Sequence, residues 1–294
     1  MNENILHKVS LELSKVNDFL NKVKWQGYQV SQEELQHNLD EFFDSVLSEL
    51  AFRDYVYISP KGDIWYSVIG LYLWCQKNQV DFVKTALEYL EINEPYDKLR
   101  NSGFVNATNK ARGGFGDDLQ LNEMFFCEFY KIPRFERTRV GQILLHAKST
   151  QNAKYIQVIC DEFSPRIREF AKDFDCICFV PPSNPRQIQF MDVLNSTINS
   201  PKPRINTWKE FGDMFIQQKT LKSHSDRIEN ARETILVSSD NQFESCLIID
   251  DAIGSGSTLN ETARKLRSQK IITGQIVGLG IVGNLDGYEV INEV

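Results

Sequence analysis

The segment Cys246-Leu-Ile-Ile-Asp-Asp-Ala-Ile-Gly-Ser-Gly-Ser-Thr-Leu259 constrains the fold of this chain more than any other. Its apolar run reads as a strand over residues 246–249 that is buried on both faces, and it ends in two carboxylates. A short Gly/Ser/Thr turn then opens a helix over 259–268. A buried strand that feeds straight into a helix is the repeating unit of an α/β sheet. The same alternation runs through the second half of the chain. Residues 176–180 form an apolar strand stopped by Pro181-Pro182, 234–237 and 276–282 are two more, 155–160 is strand-like, and 165–174 is helical. The sequence therefore predicts a parallel sheet covered by helices, with no internal repeat.

The first hundred residues follow another pattern. Residues 12–25 and 31–50 have helical apolar spacing, and Ser31-Gln-Glu-Glu34 is a capping box at the start of the second. Two β-rich runs around Pro60-Lys-Gly-Asp63 predict a hairpin over 55–66, and a further helix is expected over 68–92. Helix, helix, hairpin resembles a winged helix in order. Residues 101–118 are rich in Gly, Asn and small polar side chains and read as a connector. The expected division is a mostly helical N-terminal domain over 1–110 and an α/β domain over 111–294.

The strand–turn–helix segment also carries the chemistry. Ligands of open α/β sheets bind beyond the carboxyl ends of the strands. Small residues at 254–258 let backbone N–H groups approach an anion, helped by the positive end of the following helix. The hydroxyls of Ser255, Ser257 and Thr258 can donate to phosphate oxygens. Asp250 and Asp251 would repel a phosphate but suit sugar hydroxyls, directly or beside a hydrated Mg²⁺. A phosphorylated sugar satisfies both halves. Other readings fit less well. Gly254 and Gly256 are followed by Leu259 where a dinucleotide fingerprint needs a third glycine, and Arg112-Gly-Gly-Phe-Gly116 is no phosphate-binding P-loop. No C-x-x-C pair or close His pair supports a zinc site.

On these residues the chain resembles the type I phosphoribosyltransferases, whose signature for phosphoribosyl pyrophosphate (PRPP) is an apolar strand, two acids and a Thr/Ser/Gly loop. The resemblance implies a type I phosphoribosyltransferase fold, with Asp250 and Asp251 as the catalytic, ribose-holding acids and Gly254, Ser255, Gly256, Ser257 and Thr258 around the 5′-phosphate. Asp175-Cys-Ile-Cys-Phe-Val-Pro-Pro182 resembles the strand before the family's pyrophosphate loop, which makes Ser183, Asn184 and Arg186 the expected pyrophosphate contacts. Gln218, Leu221, Arg227 and Asn230 follow the spaced pattern of the competence-protein-F branch. Residues 201–232 suit the family's flexible loop, with Lys219, Lys222 and Arg227 over the leaving group. The cofactor implied is Mg²⁺, bound mainly through PRPP. Gly254 departs from purine-salvage members, which often carry an acid there, and Ala252 and Gly254 replace bulkier loop residues.

Three functions follow as expectations. The first is Mg²⁺-dependent transfer of phosphoribose to a nitrogen nucleophile with release of pyrophosphate. The second is a non-catalytic sensor of PRPP or a nucleotide; the purine repressors of Gram-positive bacteria join a winged helix to such a domain. The third is an effector subunit of a bacterial antiphage conflict system, whose phosphoribosyltransferase-like proteins the whole chain resembles.

Charge separates these readings. Residues 1–100 carry 16 acids against 10 bases, and 31–50 carry six acids and no Lys or Arg. Duplex affinity comes mainly from phosphate neutralisation. The N-terminal domain is accordingly expected to contact protein and not nucleic acid, with Phe42, Phe43, Tyr55, Tyr57, Trp65, Tyr66, Tyr72 and Trp74 shared between core and contact surface. Other expected partners are PRPP or a related phosphosugar or nucleotide, and a second copy of the chain. No apolar run reaches the roughly 20 residues of a membrane helix, and six cysteines without a disulfide pattern point to the cytoplasm.

Overall fold

The structure is a computed structural model that describes residues 3–23, 31–40, 52, 55–59, 63–101, 103–135, 137–182, 186–210 and 224–287. Contacts divide the chain into two units, Met1–Lys98 with Lys131–Gln142, and Leu99–Tyr130 with Ile143–Val294.

In the first unit, α1 (Glu3–Lys22) buries Val9, Leu13, Val16 and Leu20, a stripe with helical spacing. α2 (Gln32–Asp40) begins as its capping box requires, with Ser31 Oγ accepting the Glu34 N–H at 3.1 Å. The rest of the helix expected over 31–50, including Phe42 and Phe43, lies outside the described residues. β1 (Val56–Ile58) and β2 (Ile64–Tyr66) pair antiparallel, Val56 opposite Tyr66, and the Ser59 N–H donates to the Asp63 carbonyl at 2.8 Å to close the hairpin. Its tip, with Lys61, lies outside the described residues.

The single helix expected over 68–92 is two, α3 (Ser67–Asn78) and α4 (Phe82–Asn101). Gln79 turns left-handed at φ 55°, and Asp81 Oδ1 accepts the Lys84 N–H at 2.7 Å, capping the second helix. Apolar periodicity continues through the break and hides it. The core of this unit is aromatic: Tyr89 stands edge-on to Tyr55 and Phe135 at 5.5 and 5.0 Å.

The second unit is built on a seven-stranded sheet. β3 (Val105–Asn106) and β4 (Glu123–Phe129) precede β5 (Cys176–Phe179), β6 (Arg204–Lys209), β7 (Ile235–Ser238), β8 (Cys246–Ile253) and β9 (Ile276–Gly283). The order across the sheet is β3-β4-β9-β8-β5-β6-β7. The five central strands are parallel, and β3 and β7 are antiparallel edges. The helices are α5 (Thr108–Phe115), α6 (Arg139–Thr150), α7 (Ala153–Phe170), α8 (Phe190–Ile198), α9 (His224–Thr234) and α10 (Ser257–Ser268). The expected α/β class and mostly parallel sheet are present.

β9 is buried along its whole length between β4 and β8. It fits because of its glycines: a Cβ on Gly280 would sit 2.5 Å from Ile253 Cγ1.

Two local expectations are corrected here. Residues 155–160 are not a strand but part of the first two turns of α7, in which Ile156, Ile159, Cys160, Phe163 and Ile167 line one buried face while Val158 is exposed. The β-branched residues look strand-like, but the longer spacing is helical. Asn152 caps the helix by accepting the Lys154 N–H at 3.0 Å. Residues 101–118 are not a connector, since they supply β3, α5 and a 3₁₀ turn at Gly116–Asp118. Pairing with β4 organises them: Ala107 N–H donates to the Met124 carbonyl at 2.8 Å, and Thr108 Oγ1 accepts the Met124 N–H at 3.0 Å.

Candidate functional site

β8 is longer than its apolar run. Its pairing with β5 stops at Ile249 opposite Phe179, yet the strand continues to Ile253 beside β9 alone. Asp250 and Asp251 therefore lie within the strand, on the stretch that β5 no longer covers. β5 ends at Phe179, and Pro181-Pro182 follow it outside the sheet. Asp250 and Asp251 are half-buried, with β9 the strand that pairs beside them.

The turn after β8 is built for close approach. Gly256 sits at φ 82°, a conformation that side chains with a Cβ rarely adopt, and a Cβ there would come within 3.0 Å of Met124 Sδ. Ser255 and Ser257 are buried with their hydroxyls 2.7 Å apart, and the Ser257 N–H donates to Ser255 Oγ at 3.3 Å. Gly254 and Thr258 are half-buried. α10 starts at Ser257 without a side-chain cap and without an acid in its first turn. Past the Ser257 N–H, which Ser255 Oγ already accepts, its leading amides and dipole can meet an anion.

The helix is held from behind. Fully buried Asn260 accepts the Gln120 N–H at 2.7 Å and donates to the Asp118 carbonyl at 3.2 Å. Buried Glu261 pairs with Arg264 at 3.2 Å and Arg232 at 3.5 Å.

Two lysines face the acids. Lys148, near the end of α6, forms an ion pair with Asp251 in which the two side chains are only 8% and 21% exposed. Lys209, at the end of β6, is half-buried; desolvation pushes its amine down, and the charges of Asp250 and Asp251 oppose that push. Asp250 accepts the Asp251 N–H at 2.8 Å. Its carboxyl is pushed up to about 7, first by burial and then by the charge of Asp251, against the backbone hydrogen bond and both lysines. Asp250 is thus readily protonated at neutral pH.

Of the other expected site residues, Arg186 is half-buried at the start of a turn whose Gln187 and Ile188 amides donate to Gln151 Oε1 at 2.7 and 3.3 Å. Ser183, Asn184, Lys219 and Lys222 lie outside the described residues, as do Gln218 and Leu221. Arg227 and Asn230 are in α9. The stretch 201–232 is not one continuous loop. It contains β6, which runs antiparallel to β7 with Lys209 opposite Ile235, and most of α9.

Lys148 is the residue that motif reading missed. Its one sequence signal is a cation at the third position of the buried stripe Val140, Leu144, Lys148. Among the described residues, no three His, Cys, Asp or Glu side chains converge as a metal site, and no helix is long and apolar enough to cross a membrane.

No known protein family matches the sequence, and no curated protein is similar to it. Among solved structures there is a slight likeness to a hypoxanthine phosphoribosyltransferase from Staphylococcus aureus. It has 17% identity and a TM-score of 0.29, and it covers 44% of this chain and 72% of that one.

Proposed function

We propose that the chain binds PRPP, or a closely related phosphosugar, through residues 250–258 and transfers its phosphoribosyl group to a nitrogen nucleophile. One observation carries this reading: β8 extends an acid pair past its neighbour β5 and then turns, through Gly254–Thr258, into a helix whose N-cap, Gly256, brings no side chain and whose first turn carries no acid. The acids suit the ribose hydroxyls, and the turn suits the 5′-phosphate. Arg186, with Ser183 and Asn184, would meet the pyrophosphate, and Lys219, Lys222 and Arg227 would close over it. In the reaction the nucleophile's lone pair forms the bond to C1 of the ribose. The C1–O bond breaks with its electron pair leaving on pyrophosphate. Fixed charges around the oxocarbenium-like ribose and the departing anion would supply most of the acceleration.

Mg²⁺ fits this site as a cation carried by the ligand. Lys148 pairs with Asp251 and Lys209 lies near both acids, and among the described residues no three His, Cys, Asp or Glu side chains converge to hold a resident metal. When bound, the ion would neutralise the diphosphate. The acids' task is the sugar.

Binding without turnover would make the chain a sensor. The acidic N-terminal unit, with its hairpin and flanking helices, would then serve protein contact or a winged-helix role. A screen of nucleobases and amines with Mg²⁺–PRPP, read by pyrophosphate release, separates the two. Acceptor-dependent release supports transfer, whereas PRPP binding with no release for any acceptor supports sensing. A conflict-system role would show as co-purification of a second protein or nucleic acid.

A further inference from the structure

Lys148 and Asp251 are 103 residues apart in sequence, and the fold brings an ammonium from α6 onto one member of the acid pair. A buried lysine needs a partner, and this one is committed to Asp251. Asp250 receives instead the backbone N–H of its neighbour. Among the described residues, the charged groups that face Asp250 are Asp251 on its own strand, Lys148 on α6 and Lys209 on β6. The adjoining strands β5 and β9 add no charged side chain, their sequences being Cys-Ile-Cys-Phe and Ile-Val-Gly-Leu-Gly-Ile-Val-Gly.

We infer that Lys148 is a positioning residue that divides the work of the acid pair, engaging Asp251 in an ion pair and fixing it in place, so that Asp250 is the member that changes protonation on meeting the ligand. Two adjacent half-buried carboxylates cannot both stay charged without compensation. The compensation here is unequal, because one acid has a direct ion pair and the other does not. Asp250 accordingly gains a proton near neutrality, as its burial and the neighbouring charge require. Ionised, it accepts hydrogen bonds from both hydroxyls of a cis-diol; protonated, it has lost acceptor capacity. Ligand affinity should therefore tighten as pH rises through 7. This inference rests on the ribose-holding role proposed above for the pair.

The test has two arms. In the first, the full chain labelled with ¹³C-carboxyl aspartate is titrated by NMR without ligand, with Asp250→Asn used for assignment. The Asp250 resonance should titrate near neutrality in the wild type and in Lys148→Arg. In Lys148→Gln its midpoint should move up by half a pH unit or more, because a positive charge that lowers it is gone. In the second arm, PRPP binding is measured from pH 5.5 to 8.5. Lys148→Gln should lose about threefold in affinity at pH 6.5 and recover nearly all of it at pH 8.5, while Lys148→Arg follows the wild type. A purely structural role would lower affinity by the same factor at every pH. Superimposable Asp250 titrations in wild type and Lys148→Gln would overturn the inference. Absence of PRPP binding to the wild type would overturn the ribose reading instead, and the NMR arm would still decide the role of Lys148. Lys148→Met, which keeps the stem's volume, serves if the Gln variant does not fold.

Discussion

Replacing Asp250 with Asn should change how the stability of the α/β unit depends on pH, by an amount that follows from the structure. The carboxyl rises from its ordinary 3.8 to about 7 on folding. A carboxyl raised in this way contributes stability that is complete below its unfolded value and is lost as pH climbs through its folded value. Every tenfold gain in proton affinity on folding corresponds to about 1.4 kcal/mol. Between pH 8, where Asp250 is mostly ionised in both states, and pH 5, where only the folded state holds the proton, the wild type should gain about 2–3 kcal/mol from this group. Asp250→Asn cannot gain it. The difference between variant and wild type should change by that amount across the interval, whatever the amide itself costs or contributes. Cys176, Cys178 and Cys246 are fully buried in the sheet, so pulse alkylation after equilibration in urea, read peptide by peptide, reports unfolding of this unit. A variant-minus-wild-type difference equal at pH 5 and pH 8 would refute the reasoning.

Other outcomes follow from the turn after β8. Thr258→Ala should weaken PRPP binding by about 1.5–3 kcal/mol, the worth of one hydrogen bond to a charged group, with little change in melting temperature; calorimetry and a thermal melt check the two halves. Gly256→Ala forces a Cβ into the left-handed region and against Met124. It should cost about 1–3 kcal/mol of stability in urea unfolding and reduce PRPP affinity as well.

How far the sequence alone reveals this arrangement depends on the kind of contact involved. The strands at 176–179, 246–249 and 276–283 are legible because central parallel strands are apolar on both faces. The acid pair and its turn are legible because strand, turn and helix are contiguous. Residues 155–160 mislead because Tyr-Ile-Gln-Val-Ile-Cys has strand-like residue types, and only the spacing out to Ile167 discloses the helix. The strand and helix inside 101–118 depend on hydrogen bonds to Met124 and pairing with β4, which no local pattern announces. The extension of β8 to Ile253 arises from its ladder with β9 after β5 has ended. Lys148 is invisible for the same reason, since its partner comes from a strand 103 residues away.

Titration calorimetry of the full chain with PRPP, with and without Mg²⁺, tests the central claim most directly when wild type is set beside the Asp250→Asn, Asp251→Asn double variant. Saturable binding by the wild type that strengthens with Mg²⁺ and falls at least tenfold in the double variant is the result predicted. No heat at millimolar PRPP, or equal binding by both proteins, would contradict the assignment of residues 250–258 as a phosphosugar site.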